Sequence, residues 1–249
     1  MLEKITKRKL TPYLPKEINV LSFSSLDSTN TRAKACLLEG EKTPFLVTTN
    51  KQNKGRGRQG KSFYSKKNRG IYMTLAVDKD FVSSSAITAA AAVSVATVIN
   101  EQCSCDAKIK WVNDIYINGK KASGILCEAV KDSDNTLKGY IIGIGINTDI
   151  KKFPKDIENI ATSVKTENKN LLASAVINNL VKNLADKDNS FLKLYKELSL
   201  VLGKEIVYTE NGISKTAKAL DIDKDGGLII EENGKTKILS GGEISIRIM

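Results

Sequence analysis

Residues 55–62 read GRGRQGKS, and the segment after them decides the architecture. By letters alone the stretch satisfies two phosphate-binding fingerprints. Gly55, Gly57 and Gly60 give the G-x-G-x-x-G of a dinucleotide turn, and Gly55 to Ser62 give the G-x-x-x-x-G-K-S of a P-loop. Both need a helix directly after the glycines, because its free amides hold the phosphate. A strand candidate does precede the loop (PFLVTT, 44–49). The residues after it, KSFYSKKNRGIYMTLAV, show no 3.6-residue period and lead into a second strand at 70–77. Asp78 and Asp80 lie at nearly the right distance for a ribose contact but in the wrong element. The doubly wound dinucleotide fold and the P-loop fold are therefore excluded. There remains a glycine-rich loop between strands. Its amides and the forked, permanent charges of Arg56 and Arg58 suit phosphate or carboxylate. A solvated basic loop would have the same composition.

The rest of the chain alternates strands and helices up to Gly203. Val20, Leu21 and Phe23 suggest a strand, and Asp27 or Ser28 is placed to cap a helix that stops at Gly40. Ser83 to Ser85 precede an alanine-rich helix and are placed to cap it. Strands are expected at 109–112, 115–117 and 124–130, with an NGKK turn between the last two. In GYIIGIGINT, Gly143 and Gly145 alternate with Ile144 and Ile146; glycines inside a strand admit a ligand or another backbone. Residues 171–202 read as helical with a break near DKDNS. After Gly203 the pattern becomes short strands split by glycine turns, expected to form an SH3-like barrel. The expected domains are 1–203 and 204–249.

The chain has no histidine, which removes the commonest general base and metal ligand. Chemistry must come from Lys, Arg, Asp, Glu, backbone amides or the ligands themselves. Cys36, Cys103, Cys105 and Cys127 form no C-x-x-C and read as reduced thiols. No apolar run reaches about 18 residues, so no membrane span is expected. The basic N-terminus lacks the apolar stretch of a secretory signal, and the expected location is cytoplasmic. The formal charge of +11 favours anionic partners: nucleic acid, anionic membrane, nucleotides or an acidic protein.

Five segments occur in order: DSTN (27–30), KQNKGRGRQG (51–60), KWVNDIYINGKKASGILCE (110–128), GIGIN (143–147) and GGEISIR (241–247). Together they resemble the biotin protein ligase family, from about residue 20 to the C-terminus. The resemblance implies a mixed-sheet α/β catalytic domain akin to class II aminoacyl-tRNA synthetases, followed by the SH3-like domain. It implies a two-step reaction, in which biotin and MgATP give biotinyl-5′-AMP and the acyl group passes to a lysine of an apo carboxylase carrier domain.

The resemblance also assigns residues. Arg58 and Lys110 would be catalytic, cancelling the repulsion between the biotin carboxylate and the α-phosphate. Ser28, Thr29 and Asn30 would meet the polar ureido head. Gln52, Gly55, Arg56, Gly57 and Gly124 would line the biotin and adenylate site, and Gly143 and Gly145 would admit the flat ring. Phe63, Asn113, Lys121 and Asn147 fall on the nucleotide side, with Lys121 favoured over Lys120. Asp114 either meets Mg²⁺ or caps the hairpin turn. Trp111 and Cys127 read as core, and Ser28 doubles as a helix cap.

Three positions, in two motifs, depart from the family pattern. Lys61 and Phe63 stand where the family has Arg and Trp, and Phe63 offers adenine less stacking area. Val112 replaces the proline of K-W-P-N-D. None of these changes removes charge, so activity is expected to survive. Only 26 residues precede DSTN, too few for the DNA-binding module of some members, so no DNA partner is expected. A homodimer is the largest assembly expected. The rival readings are a lipoate or octanoate ligase of the same superfamily and, further off, a nucleic-acid-binding protein. The latter lacks aromatics interleaved with its cations. The 54–63 stretch is expected to act as a lid that orders on the ligand.

Overall fold

The computed structural model describes residues 3–82, 86–210 and 212–240, and the backbone of 245–248. The expected caps at Ser83 to Ser85 lie outside the described residues, as does most of the GGEISIR segment.

A short N-terminal helix, α1 (Lys7–Leu10), precedes the first strand, β1 (Asn19–Phe23). Then come α2 (Thr29–Leu38), β2 (Phe45–Thr49), β3 (Gly70–Asp78) and α3 (Ile87–Cys103). The next four strands are β4 (Ala107–Lys110), β5 (Asp114–Ile117), β6 (Lys120–Lys131) and β7 (Leu137–Asn147). Seven strands form one sheet in the order β1-β2-β3-β7-β6-β5-β4. Only the β1–β2 pair is parallel. The hairpin turns at Asn118 (φ 50°) and Gly119 (φ 75°), the left-handed pair a tight hairpin turn requires, while Lys120 and Lys121, expected within the turn, already belong to β6.

Period-two alternation divides each central strand between two faces. Ile142, Ile144 and Ile146 of β7 join Ile71, Met73 and Leu75 of β3 in the main core, covered by α3 and by α4 (Lys169–Ala185). The opposite face carries a smaller core in which Ala33, Cys36 and Leu37 of α2 pack on Phe45, Val47, Ala76 and Ile141. Helix α2 covers only part of that face. Beyond Ile141 the outward residues of β7 become Gly143 and Gly145, and there the helix layer gives way to a cavity.

The last strands are β8 (Glu205–Glu210), β9 (Ile213–Ile222), β10 (Leu228–Glu232), β11 (Lys235–Leu239) and β12 (Ser245–Ile248), preceded by α5 (Phe191–Glu197). They form a separate antiparallel sheet ordered β11-β10-β9-β8-β12. Its buried residues Ile206, Tyr208, Ala217 and Leu228 continue the main core. Between the two sheets, Trp111 Nε1 donates to the Gly226 carbonyl at 3.0 Å and Lys196 pairs with Asp221 at 2.8 Å.

Two further expectations need correction. The strand expected at 109–112 ends at Lys110, and Trp111 to Asn113 form a turn that carries the chain into β5. The helical reading to residue 202 fails after Glu197. There the backbone runs beside the open edge of β4, with Ile109 N donating to Leu198 O and Leu200 N to Ile109 O, both at 2.8 Å. Backbone pairing at a sheet edge outweighs helical propensity in that short segment. Residues before 19 carry no clear periodicity, yet they are anchored. The Glu3 carboxylate accepts from Lys169 N at 2.6 Å and Asn170 Nδ2 at 2.7 Å, at the N-terminus of α4. Asn50 exchanges two hydrogen bonds with the backbone of Ile5.

Candidate active site

The floor of the cavity is a three-strand patch in register. Tyr72, Gly145 and Gly124 form one row across β3, β7 and β6, and Thr74, Gly143 and Leu126 the next; the third row, Ala76, Ile141 and Glu128, continues the sheet beyond the cavity. The glycines leave two notches. Asn30, from the start of α2, fills the one at Gly143, where a Cβ would collide with its amide. The Phe63 ring lies over the other, so close to Gly145 that a Cβ there would collide with it, and it also approaches Gly124. Phe63 meets the Tyr72 ring edge-on at a centroid distance of 6.4 Å.

Asn30 is held on three sides. Its Nδ2 donates to Leu126 O at 3.1 Å and to Glu128 Oε2 at 2.8 Å, and its Oδ1 accepts from Thr74 Oγ1 at 2.7 Å. Both amide protons are thereby engaged within the protein. Thr29 donates from its N and its hydroxyl to Gln52 Oε1, while Gln52 Nε2 donates to Ser65. Ser28 caps α2 by accepting from Thr31 N. The polar end of the cavity is thus a preformed network.

The GRGR loop folds over this floor as a narrow lid. Arg56 bridges to Ser62, Gly57 N donates to Lys61 O at 2.7 Å, and Phe63 N donates to Gly55 O at 2.9 Å. Gln59 and Gly60, both at positive φ, turn the chain at its tip. The lid directs its two arginines apart. Arg56 forks onto Glu128, at 3.0 and 3.4 Å. Arg58 reaches Asn113 Oδ1 at 3.1 Å, and Asn113 Nδ2 donates to Ile125 O at 2.7 Å. Burial pushes the Arg58 pKa downward, opposed by the charge of Asp114. A guanidinium nonetheless keeps its proton in a protein.

The cavity has a volume of about 740 Å³. Arg56, Arg58, Lys61, Lys110 and Lys121 line it, against Asp114 and Asp156. Lys110 Nζ stands 5.2 Å from the centre of the Tyr116 ring, and Lys121 pairs with Asp114 at 2.6 Å. Asn147 donates to Thr162 O at 3.1 Å, while its buried Oδ1 has no partner among the described residues. This excess of positive charge with an orphaned acceptor fits a nucleotide, whose phosphates need cations and whose base carries donors. The residues fit a protein-held metal poorly. Asp114 already has a cation, and among the described residues no three His, Cys, Asp or Glu side chains converge.

Most of the expected site converges here. Ser28, Thr29, Asn30, Gln52, Arg56, Gly57, Arg58, Phe63, Lys110, Asn113, Asp114, Lys121, Gly124, Gly143, Gly145 and Asn147 all line the cavity. Gly55 does not; it supports the lid from behind, where Phe63 O leaves no room for a Cβ. Lys120 turns away to Glu158 O. Trp111 is buried, as expected for core, yet also reaches the cavity wall, and Cys127 packs on the core. Burial pushes the Cys127 thiol up to about 12. The motifs give no hint of the wall at Pro154, Asp156, Ile157 and Ile160. That loop is held by backbone bonds between Lys121 and both Ile160 and Thr162.

Residues 22–147 match the model of the biotin/lipoate A/B protein ligase family, and residues 201–247 that of the biotin protein ligase C-terminal domain. The chain belongs to the biotin/lipoate A/B protein ligase family. It is 32% identical over 215 residues to the bifunctional ligase/repressor BirA of Bacillus subtilis, covering 81% of this chain and 66% of that protein. It is 26% identical over 208 residues to the biotin--[acetyl-CoA-carboxylase] ligase of Mycobacterium tuberculosis, covering 78% and 75%. The chain thus spans slightly less than two thirds of the Bacillus relative. Among solved structures it is similar to the Aquifex aeolicus biotin protein ligase in complex with biotin and ATP. The TM-score is 0.80 at 26% identity, with 93% of this chain and 99% of that one covered.

Proposed function

We propose that this family member activates biotin with ATP and transfers it to a lysine of an apo biotin carboxyl carrier domain. In the first step a biotin carboxylate oxygen attacks the α-phosphorus, giving biotinyl-5′-AMP and pyrophosphate. In the second, the acceptor amine attacks the activated carbonyl, AMP leaves, and the amine's proton passes to solvent.

The observation that carries this reading is the pairing of a glycine-notched floor with a cationic lid. Two anions must approach each other, and fixed positive charge at their meeting point lowers the barrier without any acid or base. Arg58 and Lys110 are the residues assigned to that role. Ser28, Thr29, Asn30 and Gln52 form the polar end suited to a ureido ring. Because Asn30 has both amide protons engaged, its direct part is to accept a hydrogen bond or to shape the pocket. Phe63 would stack on the ligand's rings at the glycine notch, and Asn147 and Lys121 would serve the nucleotide. Gly55 supports the lid. Mg²⁺ would arrive bound to the ATP phosphates.

The reading includes a domain boundary at Gly203, an SH3-like C-terminal unit, a cytoplasmic setting and an assembly no larger than a homodimer, without DNA or membrane partners. The family also includes lipoate ligases. The polar head pocket favours the ureido ring of biotin over the apolar dithiolane end of lipoyl and the alkyl chain of octanoyl. Calorimetry with biotin and lipoate side by side tests this; tighter binding of lipoate would overturn it.

A further inference from the structure

Glu128 has no part in the chemistry above, yet its carboxylate joins two halves of the site. From the lid, Arg56 Nη2 reaches Oε1 at 3.0 Å and Nη1 reaches Oε2 at 3.4 Å. From the floor, Asn30 Nδ2 donates to Oε2 at 2.8 Å. Asn30 is fixed in turn by Thr74, Leu126 and the notch at Gly143. Glu128 itself is held in the sheet by its pairing opposite Ile141.

The exposures show which group needs this arrangement. The Arg56 side chain is 47% exposed and the Glu128 side chain 27%. A half-exposed arginine on a narrow loop has many rotamers open to it, and a two-pronged carboxylate selects one. An isolated surface ion pair contributes little. This one is not isolated, because Asn30 fixes the carboxylate from the other side.

Resting on the biotinyl-AMP reading, we propose that Glu128 is a positioning residue: it aims Arg56 over the cavity and registers the lid against Asn30, so that the lid closes over the adenylate in one orientation. Removing a negative charge beside a bound anion would, by charge alone, tighten the anion. Loss of positioning has the opposite sign, which separates the two effects.

The test compares wild type, Glu128→Gln, Arg56→Lys and the double variant. Each is loaded with biotin and MgATP without acceptor, and the half-life of retained biotinyl-AMP is followed after gel filtration, alongside the melting temperature. Glu128→Gln is expected to shorten the half-life roughly tenfold, as for a loss of about 1.4 kcal/mol. The double variant is expected to be no leakier than the leakier single variant, because both act through one contact. Should Glu128→Gln fail to fold, Glu128→Asp keeps the charge, withdraws it by one methylene, and is expected to leak in the same direction. Wild-type retention in Glu128→Gln, or additive losses in the double variant, overturns the proposal. If wild type forms no biotinyl-AMP, the proposed function falls as well, a result distinct from a wild type that retains it and a variant that retains it equally.

Discussion

The indole N–H of Trp111 donates to the carbonyl of Gly226 at 3.0 Å, joining the segment that bears Lys110 to a turn in the C-terminal sheet 115 residues away. That turn is itself rigid: the Asp223 carboxylate accepts from the amides of Asp225 and Gly227. Tyr195 from α5 reinforces the same segment by donating to Val112 O at 3.2 Å. The two sheets therefore meet at the residue next to a proposed catalytic lysine. Trp111→Phe keeps an aromatic ring and removes the bond. A buried carbonyl left without a donor costs about 1–3 kcal/mol. Thermal unfolding is expected to show a melting point lower by roughly 2–10 °C. An unchanged melting point would remove this contact as a structural link.

The notch at Gly143 is expected to be intolerant of any side chain. In Gly143→Ala the new methyl collides with the Asn30 amide, which must give up Thr74, Leu126 and Glu128 to move. Biotin affinity measured by calorimetry is expected to fall roughly tenfold or more. Wild-type affinity would show that Asn30 can leave its notch without harm to the ligand.

Lys110→Ala is expected to slow adenylate formation by roughly 100-fold or more, the scale of losing one preorganised charge at a developing anion. Arg58→Gly is expected to let the adenylate escape and label bystander proteins. Pyrophosphate release and blotting for stray biotin report the two outcomes. Normal adenylate formation in Lys110→Ala would withdraw the lysine from its role.

Much of this site is legible in the letters of the chain. Residues 27–30, 51–60 and 143–147 can be read as a helix cap, a glycine-spaced basic loop and an alternating strand because each is a local pattern; that they belong to one site is what the family resemblance implied. The strand after the GRGR loop rules out both nucleotide fingerprints, and the sheet bears that out. How the parts meet is not written locally. That Asn30 rather than ligand fills the notch at Gly143, that Phe63 lies on Gly145, and that Glu128 receives Arg56 all depend on the register of β6 against β7. The wall at 154–161 and the segment 3–14 have no periodic signal, because what holds them lies far along the chain: Ile5, Leu10 and Leu14 pack into the main core, Glu3 meets the start of α4, and Lys121 bonds Ile160 and Thr162.

The N-terminal anchor is open to test. Glu3→Ala removes the carboxylate that accepts from Lys169 N at the start of α4. Loss of a cap at a helix N-terminus costs about 1 kcal/mol, and a melting point lower by roughly 2–4 °C is expected. No change would mean that Glu3 adds nothing to the fold.

The thiols offer a check on packing that is independent of ligands. Burial raises the pKa of Cys36, that of Cys103 to about 11 and that of Cys127 to about 12. The thiolate is the reactive form, so a raised pKa leaves less of it at neutral pH. At pH of about 8 these three are expected to react with a thiol reagent far more slowly in native protein than in denaturant. Rapid native labelling of Cys36, the one of the three that is buried outright, would contradict the packing of α2 against the sheet.

Incubating the protein with biotin, MgATP and an apo carboxyl carrier domain tests the central claim most directly. The intact mass of the carrier should rise by one biotinyl group, placed on a single lysine, and only when both biotin and ATP are present. A carrier of unchanged mass, or one modified from lipoate but not from biotin, would contradict it.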